Sequence, residues 1–213
     1  MRGILVVVSV LTFAGPSAAD DGTSLETSFA ASLITQNQIQ TAEPQLPVPA
    51  FGKMNTWRWM VQGGVGFDVK TSDNMFGQIG GGVSYFMIDN LSLDLELNGM
   101  YFNQIGDDAV GLNLVLLFRW HFIAEEKWSL YFDIGAGLLG TTAKVPGPTP
   151  TDPRGGSSFN ITPQSGFGFT VEVAENTRFF AGARVYHISN GQIYEGNPGR
   201  DNIFVYAGIS LPF

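Results

Sequence analysis

Cysteine is absent from the 213 residues of this chain. That removes disulfide frameworks, thiolate metal sites and cysteine nucleophiles from consideration. Two histidines are too few for a histidine-rich metal centre, and no metal or cofactor is expected. Charge is also scarce, at 14% of residues against about 25% for an ordinary soluble protein. The 11 basic residues are outnumbered by 19 acidic ones, for a net charge of −8. With no basic cluster to offset that balance, nucleic acid is excluded as a partner. No apolar run reaches the roughly 20 residues that a membrane-spanning helix needs.

What the chain has instead is 27 glycines, 17 phenylalanines, 6 tyrosines and 4 tryptophans. From Trp57 onward they fall into a period of two, the signature of strands with two unlike faces. Trp57, Trp59, Val61, Val65 and Phe67 alternate with Arg58, Met60, Gln62 and Asp68. The same alternation recurs through Ile79–Met87, Leu91–Asn98, Leu112–His121 and Trp128–Leu138, then Ile161–Glu172, Arg178–Val185 and Ile203–Phe213. That makes eight segments, each near the ten or so residues of a tilted membrane strand.

The polar faces carry Arg58, Asp94, Glu96, Arg119, Asp133, Glu172, Arg178 and Arg184 among many glycines. Charges of both signs at small-residue positions suit the inside of a narrow barrel, where they can pair. The apolar faces then meet lipid, and Trp57, Trp59, Tyr101, Phe102, Trp120 and Trp128 sit near strand ends like an interfacial girdle. The expected fold is all-β, an eight-stranded antiparallel transmembrane barrel over residues 56–213. Pro163 lies within the sixth segment, as a proline does only at a strand edge or end. His121 falls on an inward position and reads as a packed interior residue.

Ahead of the barrel, Met1-Arg2-Gly3, an apolar run through Ala14 and a small-residue Ser17-Ala18-Ala19 read as a signal peptide over residues 1–19. Residues 20–55 read as an irregular lead-in. Connections alternate between short (near 89, 125 and 175) and long, as periplasmic turns and external loops do. Counting from a periplasmic N-terminus puts the end of the seventh strand, at His187, on the outer side.

At that end stand His187 and Ser189, two residues apart and so on one face. A Gly/Pro-rich turn and Asp201 follow. Nucleophile, base and an acid to orient the base are the three parts of a hydrolytic triad. All three positions continue the odd, lipid-facing parity, where a polar side chain needs a reason.

His187-Ile188-Ser189-Asn190, the glycine after it, Asn197-Pro198-Gly199 and the strand to the terminal Phe213 resemble the lipid A 3-O-deacylases (PagL-type, acyloxyacyl-hydrolase-like). The resemblance implies an outer-membrane esterase that removes the 3-O-linked acyl chain from lipid A of lipopolysaccharide in the outer leaflet. It further implies His187 as base, Ser189 as nucleophile and Asn190 as an oxyanion donor. The family's acid is usually glutamate; here the matching position is Asp201, with Glu195 in the same loop as the alternative. Gly191-Gln192 stands where the family more often has a small residue and then glycine. Arg200, Arg154 and Lys144, read as outer-loop cations, are candidates for the lipid A phosphates. The competing reading is a non-enzymatic outer-membrane barrel with a structural, adhesive or ligand-binding role. Oligomeric state is not legible in the sequence.

Overall fold

The computed structural model describes residues 51–213, so the expected signal peptide and most of the lead-in lie outside the described residues. Nine strands follow one another: β1 (Trp57–Asp68), β2 (Met75–Ile88), β3 (Leu91–Asn103), β4 (Ala109–Ala124), β5 (Trp128–Val145), β6 (Ser157–Ile161), β7 (Gln164–Ala174), β8 (Thr177–Ile188) and β9 (Arg200–Pro212). Every pairing is antiparallel. The order β4-β3-β2-β1-β9-β8-β7-β5, with β4 also on β5, closes the sheet into a ring.

β6 and β7 are two pieces of one stave, parted at Thr162-Pro163. Across the gap Thr162 still exchanges backbone hydrogen bonds with Gly137 of β5 (2.9 and 3.2 Å). Pro163 has no N–H to give to the next strand, so the ladder breaks there. The result is the eight-stave barrel that the alternation predicted, with its irregularity at the proline.

Parity is kept throughout. Trp57, Trp59, Trp120 and Trp128 face outward, as does Tyr101. Phe102 is the exception to the expected girdle: it is even-numbered on β3 and completely buried inside. The interior is also bulkier than a reading of small and charged residues suggests. Phe76, Phe102, Phe180, Phe204, Tyr131, Tyr186 and Tyr206 fill it, and Phe204 stacks on Tyr206 with centroids 5.5 Å apart. The inward glycines make room for these rings. A Cβ on Gly66 would collide with the ring of Phe76, and one on Gly208 would come within 2.5 Å of Phe180 Cζ.

At mid-height two guanidiniums sit among three carboxylates. Arg119 meets Asp94 and Asp133 at 3.2 Å each, and Arg184 meets Asp133 at 2.8 Å and Glu96 at 3.3 Å. Such side chains are tolerable in a low-dielectric interior only when paired and hydrogen-bonded. The Tyr206 hydroxyl adds a bond to Asp133 (3.2 Å), and Gln62 adds one to Glu96 (2.6 Å).

At the short-turn end, Phe51 lies 3.9 Å from the Arg178 guanidinium and edge-on to His121, whose Nδ1 is 2.8 Å from Ser129 Oγ. His121 is thus a packed interior residue, as its parity indicated. At the long-loop end, Gln104 ties the β3–β4 loop to the end of β5 through Lys144 O (2.8 Å) and to the β5–β6 loop through Gly147 N (3.1 Å). Aromatic rings and paired charges thus occupy the interior of the barrel among the described residues.

Candidate active site

His187 and Asp201 are direct partners in the β8–β9 ladder. Both are odd-numbered, so both side chains leave the outer wall, each a little over one third exposed (38% and 35%). Their facing positions bring His187 Nδ1 to 2.5 Å from Asp201 Oδ1. With Nδ1–H given to the carboxylate, Nε2 is left as the proton-accepting nitrogen. Glu195 is exposed and makes no side-chain hydrogen bond or ion pair among the described residues. Of the two acids the sequence offered, the fold brings Asp201 to the imidazole.

Ser189 lies one step past the end of β8, at 8% exposure. The ladder extends to it through an isolated bridge: Ser189 N donates to Ile161 O (3.1 Å), and Ile161 N donates to Ser189 O (2.7 Å). His187 N donates to Pro163 O (2.9 Å). The break at Pro163 therefore sits at the level of His187, and the short strand above it holds Ser189. No hydrogen bond joins Ser189 Oγ to the imidazole among the described residues.

The loop after Ser189 turns back at once. Ile193 N bonds Asn190 O (3.1 Å), with Gly191 (φ 60°) and Gln192 (φ 65°) both left-handed. That is the backbone of a type I′ turn, which favours glycine at both central positions. Gln192 occupies the second of them at a cost in strain. Asn190 is the loop's internal brace. Its Oδ1 accepts from Gln192 N (2.9 Å), its Nδ2 donates to Gly196 O (2.9 Å), and its own N–H donates to Asn197 Oδ1 (3.2 Å). Farther on, Gly199 has φ 61°, and a Cβ on it would stand 3.1 Å from His187 Cε1. The left-handed backbone favours glycine there, and a Cβ would press on the imidazole edge.

Arg200 corrects an expectation. Expected in an outer loop, it is the first residue of β9, and its even parity turns it inward. The guanidinium is fully buried, 2.9 Å from Asn202 Oδ1 and 5.8 Å from the centre of the Phe102 ring. It cannot reach a lipid phosphate from there. Arg154 does remain at the surface, beside Gly196 of the site loop. Lys144 donates to Arg154 O (2.8 Å).

Lys70, in the β1–β2 loop, escaped the sequence reading. Its Nζ is 2.6 Å from Asp201 Oδ2, the carboxylate oxygen that His187 leaves free. That hydrogen bond, followed by the charge of Asp201, raises the Lys70 ammonium above the usual lysine range. The one available signal is topological: ring closure pairs β1 with β9, setting Asp68 opposite Asn202.

Below the site the outer wall is hollowed. A cleft of about 350 Å³ lies beside His187, lined by Ile134, Pro163, Ser165 and Val185. Farther down the same pair of strands, Phe167 and Phe169 flank a larger apolar groove of about 550 Å³, floored by Ala181, Gly182 and Ala183. Val185 faces Ser165 and Ala183 faces Phe167, so the two hollows follow successive outward pairs. From His187 to Ala181 the track runs about 20 Å at roughly 3.3 Å per residue. Among the described residues no cluster of three or more His, Asp or Glu gathers to hold a metal.

Comparison with known proteins bears on family and fold. The family described as "Lipid A 3-O-deacylase (PagL)" matches residues 56–210. Among solved structures, the crystal structure of the outer membrane enzyme PagL superposes with a TM-score of 0.56 at 19% identity. That match covers 72% of this chain and 99% of the other. Neisserial surface protein A superposes with a TM-score of 0.51 at 15% identity, covering 75% of this chain and 97% of the other. At these identities the two structures speak to the fold. No curated protein matches the chain.

Proposed function

The chain belongs to the lipid A 3-O-deacylase (PagL) family of the outer membrane, and on that premise we propose that Ser189, His187 and Asp201 carry out the ester cleavage. The observation that supports this most is the Nδ1–Oδ1 contact of 2.5 Å between His187 and Asp201 on a wall that otherwise faces lipid.

In the proposed reaction the lipid A headgroup sits over the long-loop end with its 3-linked acyl chain laid down the groove on β7 and β8. Substrate docking brings Ser189 Oγ under Nε2, a hydrogen bond of the kind that tightens only in the loaded enzyme. His187 Nε2 takes the hydroxyl proton while Oγ attacks the ester carbonyl carbon. Asp201 holds the imidazole in the right tautomer and stabilises the imidazolium. The tetrahedral intermediate collapses by expelling the sugar 3-oxygen, which takes the proton back from His187. Water, deprotonated by the same imidazole, then releases the fatty acid from Ser189.

Asn190 gives one Nδ2 hydrogen to Gly196 and has a second for the oxyanion. Gln192, at the position where a glycine is usual, holds the left-handed turn that aims the loop. Arg154, exposed beside Gly196, is a candidate cation for a lipid A phosphate. A signal peptide over residues 1–19 would deliver the chain for insertion.

The test is direct. Purified barrel in detergent micelles with lipopolysaccharide should release a single class of fatty acid and leave the amide-linked chains intact. Release of no fatty acid from a folded barrel would remove the esterase reading of these three residues.

A further inference from the structure

We propose that Lys70 is a positioning residue for the reaction: its ammonium anchors Asp201 Oδ2 so that Oδ1 stays on His187 Nδ1. The inference rests on the triad proposed above. A carboxylate on an outer wall, 35% exposed, can turn about its Cβ–Cγ bond and give its oxygens to water. Two fixed partners, one for each oxygen, remove that freedom. His187 supplies one at 2.5 Å and Lys70 the other at 2.6 Å.

The loop that carries Lys70 is itself held in place. Val69 N donates to Asp201 O (2.9 Å), so the lysine is tethered at the backbone of the residue it braces. Asp68 then accepts from Lys70 N (2.9 Å) and from Asn74 Nδ2 (3.0 Å), which orders the turn on both sides. The other charged groups near Asp201 are committed elsewhere. Arg200 is turned into the barrel and Asp68 is taken up by the loop, while Glu195 makes no contact with Asp201.

Electrostatics adds a second reason. Phosphorylated headgroups make the membrane surface anionic and concentrate protons there, which favours the neutral form of a lone carboxylate. A cation in hydrogen-bond contact opposes that, so Asp201 remains an acceptor for Nδ1–H.

The experiment compares the full-length protein with its Lys70→Met and Lys70→Arg variants, alongside Ser189→Ala and Asp201→Asn. Two rates are read: fatty acid release from lipopolysaccharide, and covalent capture of Ser189 by a neutral fluorophosphonate, which carries no headgroup. Lys70→Met is expected to lower both rates by about 10- to 100-fold, as displacement of a catalytic group by around 1 Å does. KM for lipopolysaccharide should stay within about twofold, since ground-state binding is untouched. Lys70→Arg should recover most of the loss. An undiminished capture rate in Lys70→Met, or a loss confined to KM on lipopolysaccharide, overturns the proposal; the second would make Lys70 a phosphate contact. Wild-type rates in Ser189→Ala and Asp201→Asn would instead sink the triad itself, whatever Lys70 does.

Discussion

His187 and Asp201 face each other across the β8–β9 ladder, so strand register rather than a loop sets their 2.5 Å contact. A ladder pair is rigid, and an acid placed on it can be tested without disturbing the loop. Asp201→Asn should lower turnover by about 10⁴-fold, because the amide favours the wrong imidazole tautomer. Glu195→Gln should leave turnover unchanged. Fatty acid release by the two variants checks the assignment. A collapse in Glu195→Gln with activity kept in Asp201→Asn would reverse it.

Gly199 stands against the same imidazole. Alanine there meets both a left-handed backbone (φ 61°) and the ring edge 3.1 Å away. Gly199→Ala should cost about 1–2 kcal/mol in backbone strain. Because the ring is displaced as well, kcat should fall by far more than stability. Parallel kinetics and thermal unfolding separate the two effects.

Gln192 presents the opposite case. Its φ of 65° is strained for a side chain, at about 1–2 kcal/mol, whereas glycine loses about 0.5–1 kcal/mol through its freer unfolded chain. Gln192→Gly should therefore be neutral to slightly stabilising and leave turnover intact. A urea titration followed by intrinsic fluorescence measures it.

How far the sequence carries depends on whether a feature is local. Parity along a strand is local, so Trp57 through Asp68 disclosed its two faces, and His187 and Asp201 could be placed on the outer wall; Ser189, one residue beyond β8, is buried at 8% exposure and parity does not reach it. Chain reversals were legible for the same reason; Asn90 (φ 67°) and Asn176 (φ 55°) sit in the short turns where such residues belong. Closure of the ring is not local. It is closure, through the pairing of β1 with β9, that brings Lys70 to Asp201, and no spacing announces it. Arg200 was misplaced because it was taken as the last loop residue rather than the first of β9. That one-residue difference in where the strand begins decides whether a side chain faces solvent or the interior.

The interior makes its own prediction. Arg184 is fully buried and bound to Asp133 and Glu96. Arg184→Met removes one of the two guanidiniums of that network and leaves Arg119 alone among Asp94, Glu96 and Asp133. Destabilisation of about 3–5 kcal/mol is expected, seen as a lower denaturant midpoint for unfolding from micelles. His187 and Asp201 lie on the outer wall, so any protein that still folds should retain activity.

The central claim is that Ser189 on this barrel cleaves the 3-linked ester of lipid A, and one measurement addresses it most directly. Lipid A from Gram-negative cells expressing the wild type or Ser189→Ala is compared by mass spectrometry, with barrel insertion verified for both. Loss of one ester-linked hydroxyacyl chain is expected with the wild type, and intact lipid A with Ser189→Ala. Equal loss with both proteins, or intact lipid A with an inserted wild type, would contradict it.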